Sequence, residues 1–272
     1  MPVALQHATA AATLSIGPWI GEFGHELMFV GMARARAQKY ERVVAYSREE
    51  SRAFYADFVD EFVPHDIQCE GMCARATRET MPSAAMLRAY CEPGTLPFPG
   101  RVYAPGQPAK WRKYGTRRAE YADAVVIHAR ARPHVPMRNW PQRNWNRLAR
   151  RLFRKGLAQR VVCVGLRHHA LAVEGAVDLR NAPLERQMDA LASARFAIGP
   201  SSGPMHLAQH CGCPVLIWCG GPSGERKTTR ARYVRDWNPF QVAAHAHEWG
   251  SWQPPFDTVW AWLETFPAAR SG

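Results

Sequence analysis

Short runs of almost uninterrupted apolar residues recur through the second half of the chain, and the stretches between them have helical character. The runs are Ala124–His128, Arg160–Val164, Val177–Leu179, Phe196–Ile198 and Val215–Trp218. Helical stretches at Trp140–Lys155, Leu184–Ala194 and Pro204–His210 alternate with them, and a short helix is expected between Val164 and Val177. Strands that are apolar on both faces must be covered on both faces, which is the situation of a parallel sheet flanked by helices. Such sheets bind ligands at the carboxyl ends of their strands. The pattern predicts an α/β fold.

The first half alternates in the same way. Thr13–Ile16 reads as a strand entering the turn Gly17-Pro-Trp-Ile-Gly-Glu-Phe-Gly24, followed by a helix over His25–Gln38 and a strand over Arg42–Tyr46. Ser47–Phe58 reads as a helix, because Ser47 with Glu50 three residues on resembles a capping box; Phe62-Val63 begins a further strand. Residues 92–118 break the alternation with Pro93, Pro97, Pro99, Pro105, Pro108 and a basic cluster of Lys110, Arg112, Lys113, Arg117 and Arg118, a linker composition. Two domains are therefore expected, 1–118 and 119–272. Each is Rossmann-like with a parallel sheet, the two facing across a cleft. A last helix over Phe256–Phe266 is placed to pack back across them.

Composition narrows the function classes. The 272 residues are 47% hydrophobic, enough for a real core. No apolar run approaches the roughly 20 residues of a membrane span. The opening MPVALQHATAAATLS has no Lys or Arg before its apolar part, as a secretory signal would. The seven cysteines are odd in number and contain no C-x-x-C, which argues against a disulfide framework or a zinc site and fits a reducing cytoplasm. The net charge of +12, carried mostly by Arg, favours an anionic partner, since Arg forms bidentate pairs with phosphate; genomic base composition also enriches Arg. Neither G-x-G-x-x-G nor G-x-x-x-x-G-K-[ST] occurs, and H-E-x-x-H is absent too.

The run Arg195-Phe-Ala-Ile-Gly-Pro-Ser-Ser-Gly-Pro-Met-His-Leu-Ala208 is the most specific local signal. A buried strand ends, a turn of small residues follows, and a helix starts near Pro204. The first N–H groups of a helix lack internal partners and carry partial positive charge, so an anionic phosphate fits there. Gly199 and Gly203 allow close approach, Ser201 and Ser202 add hydroxyls, and Pro204 has no N–H to lose. An ordinary strand–turn–helix with a Ser cap is the other reading of the same residues.

This run, with Cys213-Pro-Val-Leu-Ile-Trp-Cys-Gly-Gly221 after it and Arg138-Asn-Trp-Pro141 before it, resembles the donor-binding half of the heptosyltransferase-like GT-B glycosyltransferases of family 9 over about residues 124–221. The resemblance implies a nucleotide-sugar donor held by Ser201, Ser202, Gly203, Pro204, Met205, His206 and Gly220, with Arg138 standing where the family usually has a Lys near the donor phosphates. His128, Arg130 and Arg132 end the first strand of that half, a position that faces the expected cleft; they are phosphate candidates, Arg130 first, or else loop surface. The first half would then be the acceptor side. Its turn departs from the family's Asp-bearing glycine turn, and G-P-W-x-G-E-F-G-x-E is similar to runs in virus-encoded and uncharacterised glycosyltransferases.

The implied chemistry is inverting displacement: an acceptor hydroxyl attacks the anomeric carbon and a nucleoside diphosphate leaves. A base must take the hydroxyl proton. Glu22 is the first candidate, with His25 and Glu26 as alternatives; a carboxylate that only complements the helix dipole is the plainer role for Glu22. The leaving diphosphate needs positive charge. No D-x-D is present to hold a metal, so helix end and Arg would supply it and no metal or other cofactor is expected. For the acceptor the charge favours an anionic polymer, first of all DNA with a hydroxymethylated base. Trp19 and Phe23 would stack on the flipped base, or pack beneath the turn. Lys110, Arg112 and Lys113, and the stripe Arg147, Arg150, Arg151 and Arg154, would track phosphates, or merely face solvent. A lipopolysaccharide or other glycan acceptor, a non-catalytic binder and a nucleotide-sugar epimerase are the competing readings.

Overall fold

The computed structural model describes residues 13–19, 21–66, 95–96, 108–133, 135–220 and 229–270. Cys69, Cys73 and most of the proline-rich stretch before residue 108 lie outside the described residues. The chain divides into two compact units, Met1–Lys110 and Trp111–Gly272.

The first unit contains β1 (Thr13–Ile16), α1 (Phe23–Ala37), β2 (Arg42–Ser47), α2 (Arg52–Tyr55), β3 (Glu61–Pro64) and β4 (Thr95–Leu96). Its sheet runs β3-β2-β1-β4 and every pairing is parallel. Leu27, Phe29, Val30 and Ala33 of α1 are buried together with Leu14 and Ile16 of β1. The helix expected over Ser47–Phe58 is not continuous. A 3-10 turn at Glu49–Ser51 leads into a single α turn, and Ser47 ends β2. The reason is local: the Ser47 hydroxyl donates to the buried Glu26 carboxylate and is not available to cap a helix.

The second unit contains β5 (Ala124–Ile127), α3 (Gln142–Arg154), β6 (Arg160–Cys163), β7 (Val177–Asp178), α4 (Leu184–Ser193), β8 (Phe196–Pro200), α5 (Gly203–His210), β9 (Val215–Cys219), α6 (Thr229–Ala231), β10 (Ala244–Glu248), α7 (Phe256–Thr265) and α8 (Pro267–Arg270). Its parallel sheet has the order β10-β9-β8-β5-β6-β7. This is the doubly wound order, in which the chain builds outward from β5 in one direction and returns to add β8 on its other side. The predicted all-parallel α/β character holds in both sheets. No helix forms between β6 and β7; turns fill the interval, and Ala170 bridges to Arg130.

The core explains why the elements fall where they do. All residues of β5, β8 and β9 are buried. From α3, Trp145, Leu148, Ala149 and Leu152 face inward at helical spacing. Trp140, Trp145 and Trp218 meet with ring centroids 4.8–5.6 Å apart, and α7 packs on them through Phe256, Val259 and Trp260. Among the described residues no helix is long and apolar enough to cross a membrane.

Candidate active site

In the second unit the switch point lies between β5 and β8, and the first residues beyond those strands are joined. His128 Nδ1 and Ser202 Oγ stand 2.9 Å apart. A Cβ on Gly199 would lie 2.9 Å from the His128 carbonyl oxygen and 3.2 Å from Met205 Sδ, so only glycine lets the two strand ends close on each other. Burial, with Arg130, His169 and Arg132 nearby, holds the His128 pKa down to about 3, so the ring is neutral.

The turn into α5 is held by backbone and by one tyrosine. Ser201 N–H donates to the Trp218 carbonyl at 2.8 Å. Ser202 N–H donates to Tyr233 Oη, and that hydroxyl donates to the Ser202 carbonyl, both at 3.1 Å. Tyr233 sits in a five-residue π turn, Arg232–Asp236, and burial pushes its pKa up to about 12. Ser202 is the residue before the helix in extended conformation, but its hydroxyl goes to His128 instead of capping. Met205 and His206 N–H return to the Ser202 carbonyl. Pro204 has no N–H, so Gly203 N–H is the first-turn donor that the described residues leave for a ligand.

The Arg138-Asn-Trp-Pro141 element supplies the rest. Arg138 Nη2 donates to the Ser201 carbonyl at 3.3 Å. Asn139 Oδ1 accepts from Arg130 Nη1 at 2.6 Å and from Arg132 N–H at 3.0 Å, which ties the loop after β5 to the same element. Trp140 is core and donates its indole N–H to the Pro254 carbonyl at 2.7 Å. Pro141 precedes α3, one position before the first turn expected for it. Gly220 follows β9 and lies against the Trp252 ring.

Ser201, Ser202, Gly203, Arg130 and Arg138 therefore gather at one end of the sheet. Met205 is buried under Gly199, and His206 turns inward, stacked on Tyr233 at 4.0 Å and 8°. Tyr233, Trp252 and Asn139 carry no signal in the local pattern, because their partners lie far off in sequence or across a loop. A separate groove lined by Lys155, Arg195, Trp260 and Glu264 opens at the opposite, amino-terminal end of the strands, away from this cluster.

In the first unit the glycine turn also crowns the carboxyl ends of its strands. Gly17 has φ +92° and its Cβ would lie 2.5 Å from the Tyr46 carbonyl oxygen, a place for glycine alone. Trp19 is a core residue: it is 2% exposed, stacks on Phe29 at 5.0 Å and donates its indole N–H to the Gly21 carbonyl. Phe23 packs on Phe54. Glu22 is half-buried immediately before α1, and its carbonyl accepts from His25 and Glu26 N–H. Glu26 is enclosed. It accepts from Ser47, Ser51 and Tyr55 hydroxyls, with Arg48 at 3.5 Å. Burial raises its pKa against the opposing pull of Arg48 and the three hydroxyls. Arg48, whose role the sequence does not signal, also donates to the Gly21 carbonyl at 2.7 Å.

Some residues of the basic clusters are engaged with the protein. Arg147 pairs with Asp257 at 3.2 Å, Arg150 with Glu174 at 2.8 Å, and Arg151 lies 4.1 Å over Trp260. Lys110 N–H donates to the Gly31 carbonyl, and Lys113 Nζ lies 5.5 Å over Phe240. Arg112 is exposed. Among the described residues no group of three or more His, Cys, Asp or Glu is placed to hold a metal ion.

No protein-family model matches the sequence, and no curated protein matches it. Solved structures do match. The glycosyl transferase family 9 protein from Veillonella parvula aligns with a TM-score of 0.56 at 14% identity, over 88% of this chain and 86% of that one. The ADP-heptose LPS heptosyltransferase II of E. coli aligns at 0.57 and 16%, over 87% and 89%. The E. coli heptosyltransferase WaaC with ADP aligns at 0.56 and 13%, over 93% and 99%. With two all-parallel α/β sheets and these neighbours, the chain has a GT-B-like fold, the fold of the family 9 glycosyltransferases.

Proposed function

We propose that the chain is an inverting glycosyltransferase that holds a nucleoside-diphosphate sugar at the Ser201–Gly203 turn. The observation that carries this reading is the cluster at the switch point, where Arg138 and the open start of α5 stand together beyond β5 and β8. In the reaction the acceptor oxygen bonds to the anomeric carbon as the bond from that carbon to the phosphate oxygen breaks. The acceptor proton goes to Glu22. The diphosphate leaves with its charge met by Arg138 and Gly203 N–H. The similar E. coli enzymes are described with ADP and as acting with ADP-heptose, so ADP-heptose is the donor to try first.

For the acceptor we favour a glycan or glycolipid over DNA. The burial of Trp19 in the core speaks against its stacking on a flipped base, and Arg147, Arg150 and Arg151 of the α3 stripe contact Asp257, Glu174 and Trp260. One similar structure is a lipopolysaccharide heptosyltransferase. The test offers labelled ADP-heptose and other nucleotide sugars with a lipopolysaccharide-type glycolipid and with hydroxymethylated and plain duplexes. Label in glycolipid, with diphosphate release, is the expected result. Label confined to hydroxymethylated DNA would restore the DNA acceptor, and no release with any donor would end the glycosyltransferase reading. Because the sequence has no D-x-D, turnover is expected to be unchanged by a chelator, and full dependence on added manganese or magnesium would contradict that.

A further inference from the structure

Arg138 has a platform that the proposed reaction does not by itself require. Its guanidinium carbon lies 3.9 Å from the centre of the Trp252 ring while Nη2 reaches the Ser201 carbonyl. The segment bearing Trp252 is held from inside the protein. Trp218 Nε1 donates to the Trp252 carbonyl at 3.2 Å, and Trp140 Nε1 donates to the Pro254 carbonyl at 2.7 Å. Gly220 completes the seat, because a Cβ there would fall 2.5 Å from Trp252 Nε1.

Arg138 itself leaves a short 3-10 turn, Pro136–Arg138, outside the core. A long side chain in such a place samples many rotamers, and each rotamer away from the phosphate weakens binding. An aromatic face fixed by the core restricts that freedom and keeps the guanidinium beside the Ser201–Gly203 turn.

We propose that Trp252 is a positioning residue for Arg138, holding the guanidinium beside the Ser201–Gly203 turn so that it meets the diphosphate of the donor. The proposal rests on the donor site described above. It also gives a physical sense to the spacing in Arg138-Asn-Trp140: the first residue lies on the ring and the third anchors the segment that carries it.

The test is calorimetric titration of ADP into the wild-type protein and the variants Arg138→Ala, Trp252→Ala, Trp252→Phe and the double variant Arg138→Ala/Trp252→Ala, each checked by its thermal melt. Trp252→Ala is expected to weaken ADP about threefold to thirtyfold, the range of a cation–ring contact. Trp252→Phe, which keeps a ring face, should recover most of that. The double variant should bind no more weakly than Arg138→Ala alone, because the ring acts only through the guanidinium. Additive losses, or a loss with Trp252→Ala that phenylalanine does not restore, would mean a structural role and overturn the proposal. So would unchanged affinity in Trp252→Ala while Arg138→Ala binds weakly. If the wild-type protein binds neither ADP nor another nucleoside diphosphate, or if Arg138→Ala binds normally, the donor-site reading fails first and the proposal with it.

Discussion

Glu22→Gln is expected to bind nucleoside diphosphate as the wild-type protein does and to turn over roughly 10²–10⁴ times more slowly. The amide keeps the size and polarity of the side chain but cannot accept the acceptor proton. Glu22 precedes α1 beyond the carboxyl end of β1, half-buried and in extended conformation. Glu26, one turn further on, is closed in by Ser47, Ser51, Tyr55 and Arg48, which removes it as a proton acceptor for anything outside the fold. The measurement is kcat with the donor and acceptor found by transfer assay, beside calorimetric affinity for the diphosphate. Unchanged kcat in Glu22→Gln with a comparable fall in His25→Ala would move the role to His25.

The second large effect is on stability below neutral pH. The His128 pKa is lowered from an ordinary 6.5 to about 3, first by burial and then by Arg130, His169 and Arg132. A depressed pKa favours the folded state above the unfolded value, and the contribution is lost as pH falls from 6.5 toward 3, because the unfolded chain takes up the proton first. By pH 4 the loss amounts to about 3 kcal/mol, a large part of a domain's ordinary stability. Denaturant unfolding at pH 7, 5.5 and 4 should show it, and in His128→Asn the fall across that interval should be shallower by about that amount. Parallel falls in the two proteins would show that His128 titrates normally in the folded state.

Much of the second unit was legible because its strands are apolar on both faces. Ala124–Ile127, Phe196–Pro200 and Val215–Cys219 lie within a residue or two of where the runs place them. β10 was not legible. It alternates Ala and His at the half-buried edge of the sheet and has no apolar run to announce it. The serine turn could be read because its residues are near one another in sequence, whereas Arg138, 63 residues from Ser201, is reached only through the family resemblance. Tyr233 and Trp252 could not, since what fixes them is Ser202 in one case and Trp218 in the other. Trp19 shows the converse difficulty. A tryptophan in a glycine turn does not declare which way its ring faces, and here the N–H bonds to Tyr46 and Gly21 commit it inward.

The order β10-β9-β8-β5-β6-β7 also sets a schedule for the chain as it leaves the ribosome. With every pairing parallel, no hairpin can form early; each strand must wait for a crossover to bring its neighbour. β5 gains β6 first and then stays open on its other side until β8 has been synthesised, well after α4. An apolar edge left waiting is the kind that captures the wrong partner. The nascent unit is therefore most exposed to misassembly while β5 awaits β8, and the seam that ends this wait is the one that brings His128 to Ser202.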